Sequence, residues 1–222
     1  MISVFFYGKI SAEEKIGNRH HPNPRQKLII KIIQVKNMGT GLVVCFDEES
    51  ANRLKELWRI FTDSPDLHGR IFEEAVPPHI TLFGHEDDIR KQEFYDALES
   101  AISKYNSFSL NFTGLTTFPS TQVLYLNPEY SNNLHSLRKL CLETLEGQGV
   151  ILGQDPDSTW NPHMTLLLDL PTQEISKAVE ISQNYLDLQI TKPFVVKISH
   201  IELFSYPPYI AEKKFFLHKT AE

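Results

Sequence analysis

Pro78-His79-Ile80-Thr81-Leu82 and Pro162-His163-Met164-Thr165-Leu166 are two copies of one five-residue pattern, Pro-His-apolar-Thr-Leu, in a chain of 222 residues. In an extended strand alternate side chains share a face. His79 and Thr81 are therefore expected to point together, as are His163 and Thr165. Ile80, Leu82, Met164 and Leu166 would face a core. At the chain's own residue frequencies, roughly 0.01 such strings are expected around its nine histidines. Two copies are a signal that one strand histidine would not give.

The surroundings of the two copies run in the same order. Leu42 to Phe46 reads as a strand, and a helical stripe of Ala51, Leu54, Leu57, Trp58 and Phe61 follows. The first motif comes next. After it stand a stripe of Phe94, Leu98, Ala101, Ile102 and Tyr105 and a strand from Phe108 to Leu115. The second half offers Val123 to Leu126, then Leu134, Leu137, Leu140, Cys141 and Leu145 on one helix face. The second motif, a helix with Thr172 as N-cap carrying Ile175, Val179, Ser182 and Leu186, and a β-rich run from Phe194 to Phe204 complete it. Corresponding elements lie roughly 81 to 87 residues apart, which predicts an internal repeat of β-α-β-α-β units. The lobes span about 41–118 and 119–218, intertwined, within a domain of residues 41–222. Residues 1–40 form an N-terminal extension of strand, polar loop (Arg19 to Lys27) and strand (Leu28 to Val35).

Composition bounds the partners. With 41% hydrophobic and 23% charged residues, the chain can bury an ordinary core. The formal net charge of −6 repels a polyanion as a whole, which disfavours long nucleic acid. The two cysteines, Cys45 and Cys141, fall in apolar runs where buried thiols are expected, in keeping with a cytoplasmic protein. Val4 to Tyr7 reads as a short strand, not as a signal peptide or membrane anchor.

The paired His-x-Thr-apolar motifs resemble those of the two-histidine phosphoesterase superfamily, which includes 2'-5' RNA ligase-like proteins and cyclic nucleotide phosphodiesterases. The resemblance spans about residues 41 to 218. It implies an α+β, bilobal fold with two antiparallel-type sheets around a central cleft. It also implies that His79 and His163 are the catalytic pair and that Thr81 and Thr165 bind phosphate. The implied chemistry is metal-independent acid-base cleavage of 2',3'-cyclic phosphates or 2'-5' linked short oligonucleotides, without a cofactor, by a monomer. An ADP-ribose cyclic phosphate belongs to the same range of substrates.

Histidine alone titrates close enough to neutrality to serve as both acid and base. Trp160, Tyr206 and Tyr209 are candidates for stacking on a base, although each also suits packing. His85 and His200 read as strand histidines, and no His, Cys, Asp and Glu spacing suggests a metal site. Bacterial RNA-processing relatives tend to carry a basic residue soon after the second motif. This chain continues Leu167-Leu168-Asp169, which favours a small substrate. The competing expectation is a non-catalytic nucleotide-binding module that uses the same cleft.

Overall fold

A computed structural model of the chain describes residues 39–71, 76–85, 92–118, 121–150, 160–186, 193–206 and 208–218. The strands expected at Val4 to Tyr7 and Leu28 to Val35, and the loop between them, lie outside the described residues. In chain order the described elements are β1 (Gly39–Phe46), α1 (Glu48–Asp63), β2 (His79–His85), α2 (Gln92–Ile102), β3 (Phe108–Phe118), β4 (Val123–Pro128), α3 (Asn132–Gly147), β5 (Met164–Leu167), α4 (Ile175–Leu186), β6 (Phe194–Tyr206) and β7 (Ile210–Phe216).

Local chemistry explains where the helices start. Asp47 accepts a hydrogen bond from Ser50 N at 2.9 Å and caps α1, with Glu48 and Glu49 in the first turn where the helix dipole favours acid. Ser131 caps α3 through Leu134 N at 3.3 Å. The expected Thr172 cap is corrected. Thr172 opens a short 3-10 turn, Thr172–Glu174, preceded by Pro171 with no side-chain cap, and α4 continues from it. Proline fixes φ at the entry, which sets the turn without a hydroxyl cap.

All seven described strands join one antiparallel sheet, ordered β2-β1-β6-β3-β4-β5, with β7 on β6. This corrects the expectation of two sheets, and the reason is the length of β6. Its 13 residues pair with β1 along Ile198–Tyr206 on one edge; on the other they pair with β3 along Phe194–Ile198 and with β7 along His200–Ser205. The strand order reads the same from either end when β1, β2 and β3 are exchanged with β4, β5 and β6.

The four helices all contribute to one core against one face of this sheet. Leu54, Leu57 and Phe61 of α1, Leu98 of α2, Leu137 of α3 and Ala178 of α4 pack there with Leu42, Val44, Ile80, Leu126 and Met164. The opposite face carries a smaller cluster of Val43, Cys45 and Phe204, flanked by Tyr206 and Tyr209. That second face holds the motif side chains.

Candidate functional site

Each motif keeps the alternation expected of it. His79 and Thr81 are half-buried while Ile80 and Leu82 are buried, and His163, Met164, Thr165 and Leu166 repeat the pattern. His79 opens β2, whereas His163 stands one residue ahead of β5. Both strands then break register at the same place. Thr81 pairs with Val43 and Phe83 with Leu42, so Leu82 is an extra residue in the ladder. Thr165 pairs with Tyr125 and Leu167 with Leu124, so Leu166 is extra in the same way. A bulge bends the strand and re-aims its side chains. Here it follows the motif threonine in both copies and lets Leu82 and Phe83, like Leu166 and Leu167, all enter the core.

The two imidazoles are held alike. His79 Nδ1 lies 2.8 Å from Pro77 O, and His163 Nδ1 lies 2.8 Å from Asn161 O. A carbonyl only accepts, so each Nδ1 carries the proton, and the lone pair of the neutral ring sits on Nε2. Burial pushes both pKa values below the usual 6.5, and these backbone bonds oppose the shift. A charge on His163 lowers the His79 value further. The two rings come from opposite ends of the sheet path, and β2 and β5 approach each other.

Aromatic rings wall the site. Phe118 and Tyr125 stack on each other at 4.2 Å and meet the His163 ring edge-on at 5.0 and 5.2 Å. Phe204 stands 6.4 Å from His79 and stacks on Tyr209 at 5.0 Å. Gly41, the ladder partner of Phe204, makes room for that ring, because a Cβ at Gly41 would lie 2.8 Å from it. Sequence reasoning does not single out Phe118, Tyr125 and Phe204 as site residues. They lie on β6, β3 and β4, consecutive strands of the sheet, and only the ladder register shows which strands those are.

The stacking candidates separate. Trp160 donates its Nε1–H to Thr81 O at 3.1 Å, and the Arg138 guanidinium lies 4.7 Å over its ring. Tyr209 donates its hydroxyl to Glu202, and Tyr206 ends β6 against Phe204 at 6.5 Å. Arg138 is 1% exposed and donates from Nε to Leu82 O at 3.0 Å. Sequence reasoning missed it, although a cation four residues after Leu134 on an apolar helical stripe is a signal that sequence can give.

Glu202, 1% exposed, lies on the same face as His79 because β6 has its own bulge at Ser199. The Ser199 hydroxyl donates to Phe46 O at 2.9 Å and pins that bulge. Burial opposes ionisation of Glu202. Tyr209, Lys214 at 3.3 Å and His200 outweigh it and hold the carboxyl below its usual range. Among the described residues, Cys45, His200 and Glu202 are the one group whose donor atoms lie close enough, within 4.8 Å, to hold an ion. The group includes neither motif histidine, and Tyr209 and Lys214 already serve the two carboxylate oxygens. Burial raises the Cys45 thiol out of reach of neutral pH and pushes Cys141 up to about 12. After β5, Arg70 exchanges backbone hydrogen bonds with Leu168 and pairs with Asp169 at 2.5 Å. Asp169 takes a positive φ of 51° there.

Fold and motifs together define a class: one antiparallel sheet with a His-x-Thr pair at each of its two end strands. The family model for the 2'-5' RNA ligase superfamily matches residues 46–207. The chain belongs to this superfamily, the two-histidine phosphoesterases. Its fold is similar to that of E. coli LigT solved with 3'-AMP, at 16% identity and a TM-score of 0.54, covering 82% of this chain and 98% of LigT. It is similar also to TT0787 of Thermus thermophilus, at 16% identity and a TM-score of 0.53, covering 82% and 100%. Other structures of LigT hold NADP+ and ATP. No curated protein is similar in sequence to this chain. No described helix is long and apolar enough to cross a membrane.

Proposed function

We propose that this chain is a phosphodiesterase that opens 2',3'-cyclic phosphates or cleaves 2'-5' linked short oligonucleotides, using His79 and His163 as a proton-transfer pair. The observation that carries the reading is the mirrored histidine geometry: the same 2.8 Å bond to the carbonyl two residues back in both motifs. A binding pocket needs donors; it does not need two rings set in the same tautomer with Nε2 as the proton-exchanging atom of each.

On a 2',3'-cyclic phosphate, one neutral imidazole takes a proton from water as the water oxygen bonds to phosphorus. The bond from phosphorus to one ribose oxygen breaks, and the other ring, as imidazolium, protonates that oxygen. The product is a phosphomonoester beside a free hydroxyl. Thr81 and Thr165 donate to the non-bridging oxygens, where charge builds in the transition state. Burial lowers both histidine pKa values. A bound phosphate monoanion raises them again and restores the protonated partner that the reaction needs. Residues 41–118 and 119–218 contribute intertwined lobes to this cleft, since β6 lies beside β1 and β3 beside β4. The small nucleotides bound by LigT support a ligand of similar size.

Turnover on a panel of 2',3'-cyclic nucleotides, 2'-5' oligoadenylates and an ADP-ribose cyclic phosphate tests the reading. Product from one class and none from the His79→Ala and His163→Ala variants is expected. Tight binding with no product from any substrate would replace the enzyme with a nucleotide-binding module.

A further inference from the structure

The two motif strands stand at opposite ends of the hydrogen-bond path, so no ladder sets the distance between them. Beside the Arg70–Leu168 backbone bridge, which joins the end of β5 to the segment ahead of β2, two side chains link the motif strands. Trp160, three residues before His163, donates to Thr81 O at 3.1 Å, and Arg138 of α3 donates to Leu82 O at 3.0 Å. These are consecutive carbonyls of β2, the second belonging to the bulge residue that has no partner in β1. The Arg138 guanidinium covers the Trp160 ring at 4.7 Å, and His135, one turn earlier on α3, meets the ring's edge at 5.0 Å. One helix therefore holds the bulge of the first motif and the approach to the second.

A buried cation is a costly way to fill a core, and an apolar residue of similar volume often does so equally well. A planar guanidinium offers what an apolar residue cannot: a directed donor at one end and a flat face for an indole at the other. We infer that Arg138 and Trp160 are positioning residues that fix the spacing between the His79-Thr81 and His163-Thr165 pairs. Trp160 thereby belongs to the scaffold of the cleft. Only calling that spacing catalytic rests on the proposed function.

The spacing can be read without turnover. Two protonated imidazoles repel, and that repulsion lowers the pH at which the doubly protonated pair loses its first proton. The His Cε1–H resonances of His79 and His163 are followed by NMR against pH in the wild type, Trp160→Phe and Arg138→Met. Trp160→Phe keeps a ring and removes the N–H. In both variants the lower of the two coupled titrations moves up in pH, because a looser cleft weakens the repulsion and admits water. In kinetics the same variants lose about tenfold or more in kcat with little change in KM. Titration curves in Trp160→Phe that superimpose on the wild type would reduce Arg138 and Trp160 to ordinary core residues, whatever their effect on Tm. Should Arg138→Met fail to fold, Trp160→Phe decides. An inactive wild type would overturn the proposed reaction and leave the NMR result to judge the clamp.

Discussion

His79 and His163 sit where burial opposes their protonated forms, and this has a consequence for stability as well as for chemistry. Both titrate below 6.5 in the folded chain, so the unfolded chain binds protons that the folded chain refuses. The penalty is absent above that value, grows as pH falls through the window beneath it, and is complete below the folded pKa values. Replacing both histidines with Gln is expected to flatten the fall of Tm between about pH 7 and about pH 5. An unchanged slope would mean that the rings are not desolvated as described. The threonines are predicted to matter to rate and not to folding. Thr81→Val and Thr165→Val keep the β-branched shape and remove a donor, so kcat should fall roughly 10 to 1000-fold while Ser replacements are much milder. Full activity in a Val variant would remove that residue from the mechanism. The pairing of these four residues was legible in the sequence because a strand's period of two is stiff enough to predict facing. The aromatic neighbours were not, since register between distant strands is set by packing that no local pattern records.

At the scale of elements, the strands and helices followed from apolar periodicity, and their ends did not. β3 runs to Phe118 and β6 to Tyr206, beyond the expected limits, because strand pairing with β4 and β1 carries them on. The bulges at Leu82, Leu166 and Ser199 were invisible in the same way, as nothing in Thr-Leu-Phe or Thr-Leu-Leu announces an unpaired residue. They nevertheless decide which side chains face the cleft. Gly41 shows how closely β1 and β6 depend on one another: the Phe204 ring lies where a side chain at Gly41 would be. Gly41→Ala is expected to push that ring toward His79, destabilise the fold by about 1–3 kcal/mol and lower kcat. Thermal melts and kinetics on this variant check both effects. Wild-type stability together with wild-type turnover would show that the ring has room to spare.

Across the whole molecule, the acidic balance of −6 and the Arg70–Asp169 pair after the second motif suit a small substrate held by a few directed contacts. Substrate affinity should therefore change little with salt, whereas a steep fall of log affinity with log salt would point to a long polyanion spanning several phosphate contacts. Turnover is expected to persist after exhaustive treatment with EDTA, because proton transfer and charge neutralisation are assigned to side chains; loss restored by a divalent ion would contradict that. Whether His79 and His163 work as one unit is read from the pH dependence of kcat/KM in the wild type, His79→Ala, His163→Ala and the double variant. A bell-shaped wild-type profile is expected, with one limb lost in each single variant and a double variant little slower than either single one. Losses that multiply across the two sites, with a bell unchanged in shape, would mean that the two histidines act separately.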